Sequence, residues 1–360
     1  MQRLTALVVV LAVLLTAGVS AYGQEESAPQ EQPVPQAQPA PQEQPTPPAE
    51  SVLLRLKFKS GETMRYRIYA EMDGVARMDM PMPGGAPEMP GQMPLHAVAQ
   101  GEGVAKVLGV DATGAARLRV RAENLSFKMD LMGHKLEMSV KGGSYTVKVD
   151  GEKAEGGKIP MMPGNMKIPF IQEPLEIKIG PRGEVLDLVI PGMGDLSSLM
   201  PGMSMKEMMK SQLLLPAEPL TVGQTWSESK SETLPGMNTP VTTDIKMALT
   251  SVETWDGDRK IANIRVESVT AMKDFDLGAS MQAAGTAAQG APPMSGTMSM
   301  DQQLAGNMQF DATQGILVRF DFQANQQMSM HSTVTVPQQG AQSMSMDMQF
   351  TLKGAVAKTG

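Results

Sequence analysis

Apolar side chains alternate with polar or charged ones at every second position over most of the chain after residue 50. In the run that begins at Met64, Tyr66 and Ile68 share one side with Met64, whereas Arg65 and Arg67 lie on the other. The same alternation recurs at 117–122, 134–141, 145–149 and 316–322. A period of two is typical of a half-buried strand, and a strongly charged second face is typical of antiparallel sheets. The chain is therefore predicted to be all-β.

Turn-forming sequences separate the strand-like runs. They contain Asp, Gly and Pro, and they lie at 111–114, 180–183, 255–258 and 311–315. Such sequences between alternating segments indicate hairpin connections. We therefore predict one long hairpin from 104–110 with 115–127, and another from 245–254 with 260–272.

Two similar segments indicate an internal duplication. Gly61-Glu-Thr-Met64 and Gly223-Gln-Thr-Trp226 each open a strand, and each is followed by a gap and then by one of the long hairpins. The period is much longer than that of a solenoid repeat. We interpret residues 51–192 and 217–360 as two related antiparallel half-sheets, which form one curved sheet or an open barrel.

The segment between the halves, 193–216, is predicted to contain one short helix. Ser204 and Glu207 have the spacing of a capping box, Pro201 precedes it and Pro216 ends it. Its apolar residues form a single stripe: Met205, Met208, Met209 and Leu213. If the sheet curves around a cavity, this stripe is expected to cover or line it.

The N-terminal region predicts export. Arg3 precedes the apolar run 4–15, and small residues follow at 19–21, so residues 1–21 have the pattern of a signal peptide. Residues 22–50, rich in Pro and Gln, are predicted to be a disordered tether because they have too few apolar side chains to form a core. The chain has no cysteine for disulfides or for lipid anchoring. A soluble protein of the periplasm or extracellular space is expected, and no transmembrane span is expected in the mature chain.

The charge distribution argues against two classes of partner. The chain has 31 basic and 38 acidic residues, with both signs interspersed along the folded region. Nucleic-acid binding requires a basic surface, and docking to an anionic membrane requires a polybasic segment. Neither is present, so an apolar small molecule or another envelope protein is the expected partner.

Eleven positions carry a family resemblance. The chain resembles a group of secreted bacterial β-sheet proteins of unknown function, over roughly the whole region after the tether. The matching residues are Leu56, Phe58, Gly61, Tyr66, Leu215, Pro216, Pro219, Leu220, Val222, Gly223 and Trp226. The resemblance implies an all-β envelope protein and brings no catalytic residues. A looser similarity, to the curved half-barrels of lipoprotein and lipid carriers, concerns the fold alone.

The sequence offers little for catalysis. Without cysteine, nucleophilic chemistry needs a serine, a histidine and a carboxylate, and the only histidines are His96, His134 and His331. Gly-x-Ser-x-Gly, phosphate-cradling and His-Glu-x-x-His motifs are absent. We therefore predict a protein that is not an enzyme, and a hydrolase is the least favoured alternative.

Methionine is unusually abundant, with 33 residues. Methionines 298, 300, 328, 330, 344, 346 and 348 keep strict strand spacing, so they are predicted to replace Leu, Ile or Val in the sheet core. Two segments, 78–95 and 278–297, are predicted to be long loops. The first carries soft sulfur ligands with a nearby imidazole, a set that suits Cu(I): Met78, Met80, Met82, Met89, Met93 and His96.

These patterns favour a non-catalytic exported β-sheet protein that binds a partner or an apolar ligand in the cell envelope. The predicted ligand-binding residues are those of the helix stripe: Met205, Met208, Met209 and Leu213. Binding of Cu(I) by the methionine-rich loop 78–96 is the alternative hypothesis.

Overall fold

A computed structural model describes residues 51–79, 91–131, 133–142, 144–153, 174–189, 214–233, 240–276, 294–336 and 340–359. The regular structure of these residues is entirely β, which confirms the predicted fold class. The predicted signal peptide, the predicted tether and residues 204–213 of the helix predicted near 204–214 lie outside the described residues. No helix in the described part of the chain has the length and apolar character needed to cross a membrane.

The described residues form fourteen strands. They are β1 (Thr63–Asp79), β2 (Met93–Val110), β3 (Ala116–Leu131), β4 (His134–Lys141), β5 (Ser144–Val149), β6 (Glu152–Lys153), β7 (Leu175–Ile179), β8 (Val185–Val189), β9 (Thr225–Glu232), β10 (Val241–Trp255), β11 (Arg259–Asp276), β12 (Met294–Asp311), β13 (Ile316–Val336) and β14 (Gly340–Lys358). Both predicted long hairpins are confirmed, as β2–β3 and β10–β11.

All fourteen strands belong to one antiparallel sheet. Its main order is β6-β5-β4-β3-β2-β1-β14-β13-β12-β11-β10-β9. The hairpin β7–β8 is attached to the side, because β7 pairs with the first part of β3 while β4 pairs with the second part. The two halves of the chain meet where β1 pairs with β14, from Tyr66 opposite Lys358 to Asp79 opposite Ser345.

The duplication is visible in backbone hydrogen bonds. Gly61 donates to the carbonyl of Val107 (2.9 Å), and Val107 donates back to Glu62 (2.8 Å). In the second half, Gly223 donates to Leu249 (2.8 Å), and Leu249 donates back to the next residue, Gln224 (3.0 Å). Both glycines have positive φ, of 80° and 90°, a conformation that favours glycine. The pairing register also shifts directly after Val107 and after Leu249. The predicted relation between the half-sheets is therefore confirmed.

The segment before β1 shows that the sheet curves. The amide of Leu56 donates to Pro181 in the β7–β8 turn (2.8 Å), and the amide of Lys57 donates to Gly315 in the β12–β13 turn (3.0 Å). Adjacent residues are about 3.8 Å apart, so these two turns lie side by side. In a flat sheet β7 and β13 would be about 24 Å apart, because five inter-strand steps of about 4.8 Å separate them.

The curved sheet is packed solidly at this end, which we call the packed end. Segment 52–58 lies there with segment 214–220, and the two are joined by a backbone bridge between Val52 and Leu220. Side chains from both halves of the sheet pack with these segments into one core. Members with at most 1% exposure include Leu54, Leu118, Ile177, Ile179, Leu215, Met247, Leu249 and Phe310.

Two predicted loops are shorter than expected. Met78 and Asp79 belong to β1, Met93–Leu95 belong to β2, and Met294–Thr297 belong to β12. The prediction of loops over 78–95 and 278–297 is wrong at these positions. The reason is that the strand alternation continues through them: Met93, Leu95 and Ala97 are all buried, while Pro94 and His96 between them are exposed. The remaining residues of both predicted loops lie outside the described part of the chain.

Candidate functional site

Methionine side chains form two cross-strand rows on the inner face of the sheet, the face that carries the core. In the first row, Met272 of β11, Met300 of β12, Met328 of β13 and Met348 of β14 lie directly opposite one another. In the second row, Phe275, Met298, Met330 and Met346 are paired in the same way. We call these two rows the methionine wall. It lies toward the far end of the sheet, where β1 ends at Asp79 and β13 ends at Val336.

The methionine wall is less completely covered than the packed end. Met298, Met300 and Met328 are only half-buried, whereas the other five wall residues are buried: Met272, Phe275, Met330, Met346 and Met348. The wall residues pack in two small clusters separate from the main core: Met328, Met346 and Met348 with Ala76, Met93 and Leu95, and Met272, Met298, Met300 and Phe275 with Val241. Because a thioether side chain is flexible and polarisable, such a surface adapts to apolar groups of varied shape. The strand methionines are thus on the core side, as predicted, and three of the wall methionines remain partly accessible.

A row of polar side chains lies directly below the methionine wall, on its packed-end side. Thr243, Thr270, Gln302 and Gln326 lie opposite one another on β10, β11, β12 and β13. The Thr243 and Thr270 hydroxyls are 3.2 Å apart, and the Gln302 amide donates to Gln326 Oε1 at 3.2 Å. Thr243 and Gln326 are buried, while Thr270 and Gln302 are half-buried. We call this set the polar row.

The inner face of β12, β13 and β14 carries no charged side chain at the described positions around the wall, and the charged residues Glu228 and Lys230 lie on β9, opposite Ile245 and Thr243. At the inner positions described between 294 and 308, 320 and 334, and 344 and 356, every side chain is uncharged. The charged residues of these stretches, such as Asp301, Asp321 and Lys353, occupy the alternate positions and face outward. Since burial of an unpaired charge is costly, this surface suits uncharged, largely apolar molecules.

The predicted ligand-binding residues of the helix stripe, Met205, Met208, Met209 and Leu213, lie outside the described residues. Of the predicted Cu(I) ligands, Met80, Met82 and Met89 also lie outside them. The backbone of Met78 is opposite Met346, at the end of the second methionine row.

The structure does not bring Met93 and His96 together. Met93 is buried on the inner face of β2, whereas His96 is exposed on the outer face. A side-chain separation of three residues in a strand places the two groups on opposite faces. Instead, Met93 packs in the same small cluster as Met346 and Met348, which sequence reasoning had assigned to the core.

His96 belongs to a different group on the outer face. Its Nδ1 lies 2.7 Å from Asp73 Oδ1, and one side-chain ligand atom each from Glu71, Asp73 and His96 lies within 4.8 Å of the others. The Tyr69 hydroxyl donates to Glu71 at 2.7 Å, and this bond to a carboxylate raises the pKa of Tyr69. Asp73 and His96 are exposed, so the group is a solvated cluster of an imidazole and two carboxylates.

A pocket of about 460 Å³ at the far end bears on the hydrolase alternative. It is lined by residues of β1, β13 and β14, among them Asp79, Ser345 and His331. These three are cross-strand neighbours, with Ser345 between Asp79 and His331. In a catalytic triad the histidine lies between the serine and the carboxylate. Here the serine has the middle position, so this row lacks the order that a proton relay requires.

Comparisons with known proteins add little to this geometry. The sequence matches no model of a known protein family and no curated protein sequence. The resemblance to secreted β-sheet proteins therefore stays a prediction.

Crystal structures from Pseudomonas aeruginosa align with much of the chain at very low similarity. OpdL is 7% identical with a TM-score of 0.19, and the alignment covers 83% of this chain and 99% of OpdL. OpdQ is 11% identical with a TM-score of 0.17, covering 82% and 99%. OccD3 (OpdP) is 9% identical with a TM-score of 0.21, covering 87% and 94%. Similarity at this level carries no argument about fold or function.

Sequence reasoning missed the polar row, although a signal for it was present. Gln302 and Gln326 occupy the same strand phase as Met300 and Leu304, and as Met328 and Ala324. An amide at a position where the alternation demands an apolar residue is an exception, and exceptions of this kind mark buried polar contacts. The sequence cannot show that the two exceptions are cross-strand partners, because the register depends on the sheet.

Proposed function

We propose that this chain is a non-catalytic exported protein that binds an uncharged apolar molecule on the methionine wall. The observation that carries the proposal is the pair of uncharged cross-strand methionine rows at the end of the sheet opposite the packed core, in which Met298, Met300 and Met328 are only half-buried. An apolar ligand gains about 25 cal/mol for each Å² of apolar surface that it removes from water. The adaptable thioethers supply such contacts without demanding one ligand shape.

The test is a titration of the protein with the uncharged fluorophore N-phenyl-1-naphthylamine, whose emission rises in apolar surroundings. We expect saturable binding to the wild type. In the variant Met300→Gln/Met328→Gln, we expect binding about tenfold weaker, because removing an amide from water without new partners costs about 1–3 kcal/mol. These residues are half-buried and of similar size to glutamine, so circular dichroism should show an intact sheet.

The matched control places methionines on the other face of the same strands. Gln303 and Asn325 are cross-strand partners, are exposed, and point away from the methionine wall. The variant Gln303→Met/Asn325→Met should bind the probe as the wild type does. Equal binding by the wild type and by the glutamine variant would contradict the proposal, as would an absence of saturable binding.

We further propose that the predicted helix stripe contributes to the same site. The variant Met205→Gln/Met208→Gln/Met209→Gln should then also weaken binding of the probe, with the sheet unchanged by circular dichroism. A wild-type affinity in this variant would remove the stripe from the site and leave the methionine wall as the binding surface.

Cu(I) binding is the second candidate function, and a cluster of four methionine side chains favours it. Met93, Met328, Met346 and Met348 pack in one cluster, which gathers four soft thioether sulfurs on an uncharged surface. The ligand set differs from the one predicted from sequence, since His96 lies on the opposite face.

Competition with the Cu(I) chelator bicinchoninate distinguishes the two ligand sets. If the inner cluster binds the ion, Met346→Leu/Met348→Leu should lose affinity, and Met80→Leu/Met82→Leu/Met89→Leu should keep it. The reverse result would support the loop set predicted from sequence. Unchanged affinity in both variants would end the Cu(I) hypothesis.

A further inference from the structure

We infer that the ligand of the methionine wall is a neutral amphiphile, whose uncharged polar head binds the polar row while its apolar chain lies along the wall. The inference rests on the proposed function and narrows it to a chemical class. It assigns Gln302 and Thr270, the half-buried members of the row, as the residues that contact the head group.

The first argument is the position of the polar row. It crosses four adjacent strands in register, from Thr243 through Thr270 and Gln302 to Gln326. On β12, β13 and β14 apolar rows lie on both sides of it, with the methionine wall above and Leu304, Ala324 and Leu352 below. A polar group inside an apolar surface costs free energy unless it is hydrogen-bonded, so four of them at one level mark a place where hydrogen bonds are made.

The second argument is the bonding capacity of the row. Each glutamine amide has two donor hydrogens and an acceptor oxygen with two lone pairs, and each hydroxyl both donates and accepts. The bonds between Gln302 and Gln326 and between Thr243 and Thr270 use one donor and one acceptor within each pair. The row therefore suits a ligand group that donates and accepts, such as a hydroxyl or an ester with a free hydroxyl.

The third argument concerns the charge of the ligand's head group and the direction in which its apolar chain extends. No inner position described between 294 and 308, 320 and 334, or 344 and 356 carries a charge. Lys230 of β9 lies opposite Thr243, but three inter-strand steps of about 4.8 Å separate it from Gln302, so an ionised head at Gln302 has no adjacent charge on the described inner face to compensate it. The packed core lies beyond the row, so the chain extends the other way, along the methionine wall. From Gln302 to Met298 the strand advances by about 13 Å, at about 3.3 Å per residue.

The experiment compares three ligands of equal chain length as competitors of N-phenyl-1-naphthylamine: 1-dodecanol, 1-chlorododecane and dodecanoate at pH 8. We expect 1-dodecanol to bind the wild type about fivefold more tightly than 1-chlorododecane, which is the effect of one ordinary hydrogen bond. Dodecanoate should bind more weakly than both, because no charged side chain described on the inner face lies beside Gln302 to pair with its carboxylate.

The variant Gln302→Leu/Gln326→Leu removes both amides and replaces each glutamine with an apolar side chain of similar size. It should bind 1-dodecanol no more tightly than 1-chlorododecane, because the hydroxyl then has no amide partner. The ratio of the two affinities within each variant is the readout, and it does not depend on how tightly that variant binds the fluorophore. The control Gln303→Leu/Asn325→Leu, on the outer face of the same strands, should keep the fivefold preference. A purely structural role for the polar row would change thermal stability and leave this preference intact.

The outcomes separate the inference from the function on which it rests. If Met300→Gln/Met328→Gln binds the fluorophore more weakly but the wild type shows no preference for 1-dodecanol, the inference is overturned and the proposed function is kept. Failure of the wild type to bind the fluorophore at all would overturn both. A preference that survives in Gln302→Leu/Gln326→Leu would remove the polar row from the site.

Discussion

At the scale of single residues, the clearest anomaly is a buried hydroxyl at the far end. Ser332 is 2% exposed, and its Oγ has no hydrogen-bond partner. A buried polar atom without a partner typically costs about 1–3 kcal/mol. The variant Ser332→Ala should therefore raise the free energy of unfolding by about 1 kcal/mol, as measured by urea denaturation. Ser329→Ala, on the same strand and the outer face, should change it little, and a destabilised Ser332→Ala would show that the hydroxyl makes a bond.

A second prediction concerns Asp111, which closes the β2–β3 turn. Lys178 lies 2.8 Å from its carboxylate, and the hydroxyl and amide of Thr113 also donate to it. These bonds, the one to Lys178 foremost, hold the pKa of Asp111 well below its usual range. Because the folded pKa is lowered, the carboxylate stabilises the fold above about pH 4, the value of an unfolded aspartate, and this stabilisation is lost as the pH falls further.

The measurement compares urea midpoints at pH 7 and pH 3 for the wild type and Asp111→Asn. The wild type should lose more stability over this interval than the variant, since the variant has no carboxylate to protonate. Asp258→Asn, at an exposed turn position, serves as the control and should keep the wild-type pH dependence. An unchanged pH dependence in Asp111→Asn would contradict the role given to the turn.

At the scale of strands, glycines on the inner face make room for two aromatic rings. Phe320 and Phe322 are stacked on β13, with ring centroids 5.5 Å apart. A Cβ on Gly354 of β14 would lie 2.3 Å from Phe322 Cζ, and one on Gly306 of β12 would lie 2.8 Å from Phe320 Cε2. The rings thus cover the glycines of the neighbouring strands, and their packing depends on the missing side chains.

The variant Gly354→Ala should accordingly lower the free energy of unfolding by about 2 kcal/mol, in the range of overpacked cores. Gly109→Ala is the matched control, because a Cβ there has open space and the backbone is not in the left-handed region. Urea denaturation measures both. Equal stability of the two variants would show that the Phe322 ring moves aside at little cost.

At the scale of the whole molecule, the segment before β1 holds the curved sheet together at the packed end. Leu54 is fully buried, and the amides of its neighbours Leu56 and Lys57 reach turns from the two halves. Leu54→Ala should cost about 3 kcal/mol of unfolding free energy, whereas Leu53→Ala, 46% exposed in the wild type, should cost less than about 0.5 kcal/mol. A small effect of Leu54→Ala would mean that the sheet curves without this segment.

The sequence alone anticipated part of the candidate site and missed the rest. It placed methionines 298, 300, 328, 330, 346 and 348 on the core side, because the strand period follows from local alternation. It did not anticipate that Met272 and Met348 share a row, or that Gln302 faces Gln326, because both facts depend on inter-strand register. It joined His96 to Met93 as ligands, whereas strand geometry separates them across the sheet.

The sequence by itself determined the all-β class, the two related halves and the hairpins, because side-chain alternation and turn residues act over a few neighbouring positions. Only the tertiary structure decided that β1 joins β14, that residues 52–58 meet turns of both halves, and that the methionines align into a wall above a polar row. Those features join residues far apart in the chain, and their energy comes from packing that no local pattern encodes.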